Sequence, residues 1–248
     1  MESYIGCSGF YYPEWKGKFY PQKLASTKWL AYYAGHFSAI EINNTFYRMP
    51  NPETLKKSAE RTPEDFRFAL KVPKLISHFK QMQDVNADLA QFYVAAEQGL
   101  GNKMLCALFQ FPPSFHYSPE ALDAVLAPLS SSFNNVVEFR HESWWNADVF
   151  EQFAKKGICF CSPDIKKIPR GVVNTSGMIY LRLHGQPRTY FSAYSDEELV
   201  QFEKDIIALN PAKACIMFNN TALGFAPENA LFMKALFGQE TGENKNAA

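Results

Sequence analysis

The sequence has no surplus of charge. Lys and Arg number 25 and Asp and Glu 25, a formal net charge of zero, so no global basic field is present to hold a polyanion. Nucleic acid is therefore not the favoured partner. Long hydrophobic runs are also missing, none reaching the roughly 20 apolar residues that span a bilayer. Met1-Glu2-Ser3 leads directly into a strand-like Tyr4-Ile5-Gly6, without a basic and then apolar leader. A cytoplasmic protein with no membrane partner is expected.

Cysteine is sparse and odd in number. Cys7, Cys106, Cys159, Cys161 and Cys215 lie in apolar strand contexts, which predicts buried free thiols in place of a disulfide framework. Cys159-x-Cys161 has no second pair to complete a zinc site. There is no His-x-His or His-Glu-x-x-His spacing, no Gly-x-Gly-x-x-Gly after the first strand, and no Pro/Gly/Ser-rich linker. These absences leave one domain, no dinucleotide signature and no expected cofactor. A divalent metal remains a lesser alternative.

What is present is 47% hydrophobic and 15% aromatic residues, enough for a large core. Strand-like segments at residues 4–8, 39–43, 66–72, 103–109, 136–140, 158–162, 179–183 and 214–218 alternate with helical ones. Asn51-Pro52-Glu53, Ser118-Pro119-Glu120, Asn146 and Ser195-x-x-Glu198 mark helix starts, and Pro227 opens the last helix. Only residues 165–177 show no helix. Eight strand-helix units in this length predict a single α/β domain, a (β/α)8 TIM-type barrel over residues 1–237, with a polar, disordered tail at 238–248.

Several strands change from apolar to polar at their ends. In Phe37-Ser38-Ala39-Ile40-Glu41-Ile42-Asn43-Asn44-Thr45-Phe46-Tyr47, Glu41 and Asn43 share one face and Ile40 and Ile42 the other. Glu138 with Arg140, and Tyr180 with Arg182 and His184, form matching sets, with Phe139, Leu181 and Leu183 facing the outer helices. Lys71, Gln110 and Asn219 fall at equivalent ends. Lys71, Arg140 and Arg182 exceed Glu41 and Glu138 by one positive charge, unless Asp164 turns inward and cancels it.

This mouth is the candidate site. Glu41, Lys71, Glu138 and His184 are the candidates for proton transfer; Asn43, His78, Gln110, Arg140, Arg182, Asn219, Asn220, Tyr12 and Trp15 are those for substrate binding. A structural alternative makes the charges a buried network, with Arg182 bridging Glu138 and Lys71 pairing Glu41. A metal alternative uses His78, His141 and His184 with Asp164 or a glutamate. The loop Asn219-Asn220-Thr221 before the last helix either holds a phosphate or has its side chains bonded to one another to fix a turn. Aromatics at Phe10, Tyr11, Tyr12, Trp15, Phe46, Tyr47, Trp144, Trp145, Tyr190, Phe191 and Tyr194 offer stacking walls.

Taken together, Gly6-x-Ser8-Gly9 with Tyr12, Trp15 and Phe19-Tyr20-Pro21, Glu41-Ile42-Asn43-x-Thr45-Phe46-Tyr47, Lys71-Val72-Pro73, Gln110-Phe111-Pro112-Pro113, Glu138-Phe139-Arg140-His141, Arg182-x-His184-Gly185 and Phe218-Asn219-Asn220-Thr221 resemble the YecE-like family, domain of unknown function 72. The resemblance implies a TIM-type barrel and no established reaction. Phe10 stands where the family usually has Trp, Cys7 where Thr is common, and Ile165-Lys166 follows Asp164 where a proline two residues on is usual.

The expectation is an enzyme, a hydrolase, lyase or isomerase, acting by acid/base chemistry on a small, anionic, ring-bearing molecule such as a phosphosugar or nucleotide derivative. The alternatives are a non-catalytic protein that uses the aromatic loops to hold single-stranded nucleic acid or a saccharide, with a local basic groove of Lys71, Lys74, Lys80, Arg140 and Arg188 serving the nucleic-acid case, and a metal-dependent hydrolase or isomerase. No oligomer interface is read from the sequence.

Overall fold

The computed structural model describes residues 1–239. Its eight strands are β1 (Glu2–Ser8), β2 (Ala39–Ile42), β3 (Arg67–Lys71), β4 (Met104–Gln110), β5 (Asn135–Glu138), β6 (Cys159–Asp164), β7 (Met178–Leu183) and β8 (Lys213–Phe218). All neighbours pair in parallel, and β1 pairs with β8 to close the barrel. Between and after them run α1 (Trp29–His36), α2 (Pro52–Ala59), α3 (Asn86–Leu100), α4 (Pro119–Leu126), α5 (Ala147–Lys156), α6 (Asp196–Ala208) and α7 (Phe225–Leu236).

The helix starts follow the local chemistry. Asn51, Ser118 and Asn146 each accept a backbone N–H of the first turn, and Ser195 with Glu198 forms a reciprocal capping box. α5 ends at Gly157, whose φ of 64° a side chain would resist. The last helix begins two residues before the expected Pro227. Gly224 at φ 82° turns the chain into it, and Pro227 then falls in the first turn, where no intrahelical N–H is required. Residues 165–177 contain no helix, as predicted, so β6 and β7 are joined by irregular chain.

Alternation along the strands sorts the core into two shells. Ile40, Leu70, Phe109, Phe139, Leu181 and Phe218 face the helices, while Ala69, Cys106, Val136, Cys161, Tyr180 and Met217 fill the barrel interior. All five cysteines are buried free thiols. At Gly6 a Cβ would come within 1.9 Å of the Ala39 carbonyl oxygen. The Tyr33 hydroxyl occupies the adjoining space, accepting from the Cys7 N–H at 2.6 Å and donating to Ala39 O at 3.0 Å.

Gln239 donates to the Ser3 carbonyl at 2.6 Å, so the packed body continues past residue 237. The rest of the expected tail, residues 240–248, lies outside the described residues. Among the described residues, no helix is long and apolar enough to cross a membrane.

Candidate active site

The polar residues of the C-terminal strand ends occupy two levels. In the lower level Arg182 of β7 lies between two carboxylates. Its Nε and Nη2 donate to Glu41 Oε2 and Oε1 at 2.9 and 2.6 Å, and its Nη1 donates to Glu138 Oε2 at 2.5 Å. Ser8 Oγ and Tyr180 Oη also donate to Glu41, at 2.8 and 2.9 Å, and Arg140 Nε is in close contact with Glu138 Oε1. Glu41 and Glu138 are fully buried and Arg182 nearly so.

Burial alone would raise both carboxyl pKa values. It is outweighed by the Arg182 charge and hydrogen bonds at Glu41, and by the Arg140 and Arg182 charges at Glu138, so both are held below the usual range. Both acids are ionised at neutral pH and saturated by cations. The network alternative is thus correct for Arg182 and Glu138 but not for Lys71, because Glu41 takes Arg182 as its partner.

The upper level opens to solvent. A cavity of about 530 Å³ is lined by five cations, Lys71, Arg140, Arg182, Lys166 and Lys167. Among the described residues no carboxylate lines it. Asp164 does not cancel this charge. It faces away from the barrel interior, accepting from Tyr194 Oη at 2.6 Å and Gln186 Nε2 at 2.9 Å, with Arg170 at 3.4 Å. Asn43, Gln110 and Asn219 supply amides to the wall, and Phe46, Tyr47 and Tyr190 supply rings. Asn43 Oδ1 is buried without a hydrogen-bond partner, an acceptor left for a donor from a ligand.

Lys71 differs from its neighbours. Among the described residues its ammonium has no hydrogen bond or ion pair, and it stands 4.1 Å from the centre of the Phe46 ring. Burial, and next the Arg182 charge, lower its pKa to about 8.

His184 is held from both sides. Nε2 lies 3.2 Å from Arg140 Nη2, and Nδ1 lies 2.9 Å from the Asn219 side-chain amide. Arginine has only N–H to offer, so Nε2 accepts and the ring is neutral with its proton on Nδ1. The Asn219 atom nearest Nδ1 is Nδ2; exchanging the two ends of that side-chain amide presents its oxygen to the Nδ1 proton and its NH2 to the cavity. Burial and then the Arg140 charge depress the His184 pKa well below the usual value. In this arrangement His184 orients Arg140 and Asn219.

Two wall residues adopt a backbone conformation unusual for side-chain-bearing residues, Lys167 at φ 72° and Tyr190 at φ 71°. Such strain collects where the surroundings impose it, often at binding sites. Lys167 belongs to the helix-free segment after β6, and the Tyr190 N–H donates to the His184 carbonyl at 2.6 Å.

Four predicted binding residues lie outside the cavity. Trp15 is fully buried and donates through Nε1 to the Thr221 carbonyl at 3.0 Å, while Tyr12 packs on it and donates to the Ser8 carbonyl at 2.5 Å. These two tie the loop after β1 to the loop after β8. Asn220 is buried, donating to Ser192 O at 3.0 Å and Asn229 Oδ1 at 2.9 Å. The Asn219-Asn220-Thr221 side chains thus bond other elements, not one another. His78 accompanies Ser77 at 3.0 Å and meets the Phe46 ring edge-on, supporting the platform under Lys71; burial and then Lys71 lower its pKa to about 4.

The proposed metal set is not assembled. Among the described residues no three His, Cys, Asp or Glu side chains gather as ligands. His141 Nδ1 instead accepts the Ser143 N–H at 3.2 Å, with its ring stacked on His116. Sequence reasoning missed Lys166 and Lys167, whose only signal was a Lys-Lys pair directly after a strand end.

Fold and site together define a TIM-barrel protein with a cation-lined cavity above a buried Glu-Arg-Glu layer. The chain belongs to the family described as protein of unknown function DUF72, whose model matches residues 4–248. It is 32% identical over 158 residues to the UPF0759 protein YecE of Escherichia coli K12, covering 62% of this chain and 54% of that relative. That match thus spans about half the relative's length. It is 26% identical to the UPF0759 protein YunF of Bacillus subtilis 168, over 96% of this chain and 95% of that relative. The crystal structure of a DUF72 family protein from Thermotoga maritima aligns with a TM-score of 0.88 at 29% identity, covering 96% of this chain and all of that one.

Proposed function

We propose that this chain is an enzyme acting by proton transfer on a small, anionic, ring-bearing molecule such as a phosphosugar or nucleotide derivative. The observation that carries this reading is Lys71, an amine without a hydrogen bond or ion pair among the described residues, its pKa lowered to about 8, in a cavity walled by cations. Arg140, Lys166, Lys167 and Asn219 hold the anion, Tyr47 and Tyr190 flank the ring, and Lys71 moves the proton. Glu41 and Glu138 act as fixed charges that keep Arg182 and Arg140 in place, and His184 orients Arg140. Hydrolase, lyase and isomerase chemistry all fit this arrangement.

The test compares thermal shifts of the full chain with phosphosugars, nucleotides and neutral sugars, using wild type and Lys166→Ala/Lys167→Ala. Both lysines are exposed, so the variant keeps the fold. Stabilisation by the anions alone, reduced in the variant, supports the reading. Stabilisation by neutral sugars alone contradicts it.

One observation favours a second reading, binding of single-stranded nucleic acid. Lys74 lies between two exposed rings at the rim, 5.6 Å from the centre of Tyr47 and 5.4 Å from that of Phe79. Lys80 is taken by Asp88 at 2.7 Å, which weakens the groove. Oligonucleotide binding that falls steeply with salt would favour this reading over the first.

A further inference from the structure

The anion-binding reading leaves one feature unused. Proton transfer needs a titrating group, but it does not need one isolated from every hydrogen-bonding partner. Other lysines and arginines near polar groups in this barrel are engaged: Lys103 donates to the Ala59 and Thr62 carbonyls at 2.9 Å each, Lys80 pairs with Asp88, and Arg140 and Arg182 pair with the buried acids. Lys71 has only the face of Phe46 beneath it. That ring is itself braced by the edge of His78, with ring centres 4.9 Å apart.

An amine held over an apolar ring, beside fixed guanidinium groups, with its free side toward a cavity, has the surroundings of a nucleophilic lysine. The carboxylates that would fix it as a permanent cation are occupied by Arg182 one level below.

Resting on the anionic-substrate reading, we propose that Lys71 forms an imine with the carbonyl carbon of a phosphorylated aldehyde or ketone. The phosphate would be held by Arg140, Lys166 and Lys167. In the step, the Lys71 Nζ–C bond forms as the carbonyl π pair moves to oxygen, giving a carbinolamine. Loss of water then gives the iminium, two of the three hydrogens of the starting ammonium departing with the carbonyl oxygen. The sum is ammonium plus carbonyl to iminium plus water, with no oxidant, reductant or net proton required. The iminium draws electrons from the bond next to the former carbonyl carbon. This selects lyase or isomerase over hydrolase chemistry, and it makes the ring-bearing substrate one that opens to a carbonyl form, as sugar phosphates do. The depressed pKa of Lys71 agrees with this role, since half its amines are free near pH 8.

The experiment is borohydride trapping. The full chain is incubated at pH 8 with D-ribose 5-phosphate, glyceraldehyde 3-phosphate or dihydroxyacetone phosphate, and with unphosphorylated glyceraldehyde as control. It is then reduced, digested and mapped by mass, while the thermal shift with each compound is read in parallel. The expected result is a reduced adduct at Lys71, about tenfold or more above any surface lysine, as the larger free-amine fraction requires. Inorganic phosphate should suppress it, and Lys71→Arg should remove it. A thermal shift with no adduct at Lys71 overturns the imine and leaves the anion reading standing. Labelling spread evenly over surface lysines also overturns the imine. No shift and no adduct with any phosphorylated compound overturns both.

Discussion

Arg182 and Glu41 face each other inside the barrel as a two-point fork, Nε to Oε2 at 2.9 Å and Nη2 to Oε1 at 2.6 Å, while the third nitrogen of the same guanidinium reaches Glu138. Three charges are thereby buried as one unit under the cavity floor. A fully buried ion cluster contributes little net stability compared with apolar packing, but removing one member leaves the others uncompensated. The layer sets geometry, fixing Arg182 from below and Arg140 from the side.

Removing one charge from this layer should therefore be costly. Glu41→Gln and Glu138→Gln are each expected to lower unfolding free energy by about 3–5 kcal/mol, the range for breaking a buried pair. Urea denaturation measures this. An unchanged midpoint would mean that the acids are free to take up protons and do the chemistry themselves.

Lys71 gives the cavity a pH dependence. Its folded pKa of about 8 lies below the ordinary lysine value of 10.5, so anion affinity should weaken as pH rises through 8, and Lys71→Met should flatten that profile. Stability has the opposite sign. Between about 8 and 10.5 the unfolded chain binds more protons than the folded one, so Lys71 makes stability rise with pH across that window. Titration calorimetry and denaturant melts at stepped pH read the two effects separately.

His184 acts at the acid end. The folded state keeps it neutral well below its ordinary pKa of 6.5, so the unfolded chain gains a proton that the folded one refuses, and stability falls as pH drops below 6.5. His78 adds to the same slope between 6.5 and about 4. His184→Gln should reduce the slope of stability against pH between 6.5 and 5. An unaltered slope would contradict the neutral, doubly bonded ring.

Lys167 is a cavity-wall cation with a left-handed backbone. A side chain at φ 72° costs roughly 1 kcal/mol that glycine does not incur. Lys167→Gly is expected to leave thermal stability equal or slightly higher while weakening phosphosugar binding. Lower stability with unchanged binding would remove Lys167 from the site.

The barrel was legible because two periodicities were clean. Tyr180, Arg182 and His184 alternate with Leu181 and Leu183, and that parity alone places the first set inside. Helix starts were legible wherever Asn or Ser preceded Pro or an acid. Other features depended on tertiary contacts. Trp15 and Tyr12 are loop aromatics, and such residues have the same local pattern whether they line a wall or tie two loops together. Asp164 shares the parity of Ser162, so its outward direction depends on β6 continuing through Pro163. Lys166 and Lys167 lie in a stretch without periodicity, where only the closed fold brings them over the barrel axis. The partner of Glu41 was misassigned because strand parity gives direction but not reach, and the arginine side chain of β7 crosses to β2.

The most direct test of the account is calorimetric titration of D-ribose 5-phosphate into wild type and into Lys166→Ala/Lys167→Ala at pH 7 and low salt. Saturable one-to-one binding is expected, displaced by inorganic phosphate and weakened about tenfold or more in the variant, as loss of two cationic contacts to a dianion implies. No binding to wild type, or equal binding to both proteins, would contradict the claim that the barrel mouth is an anion site.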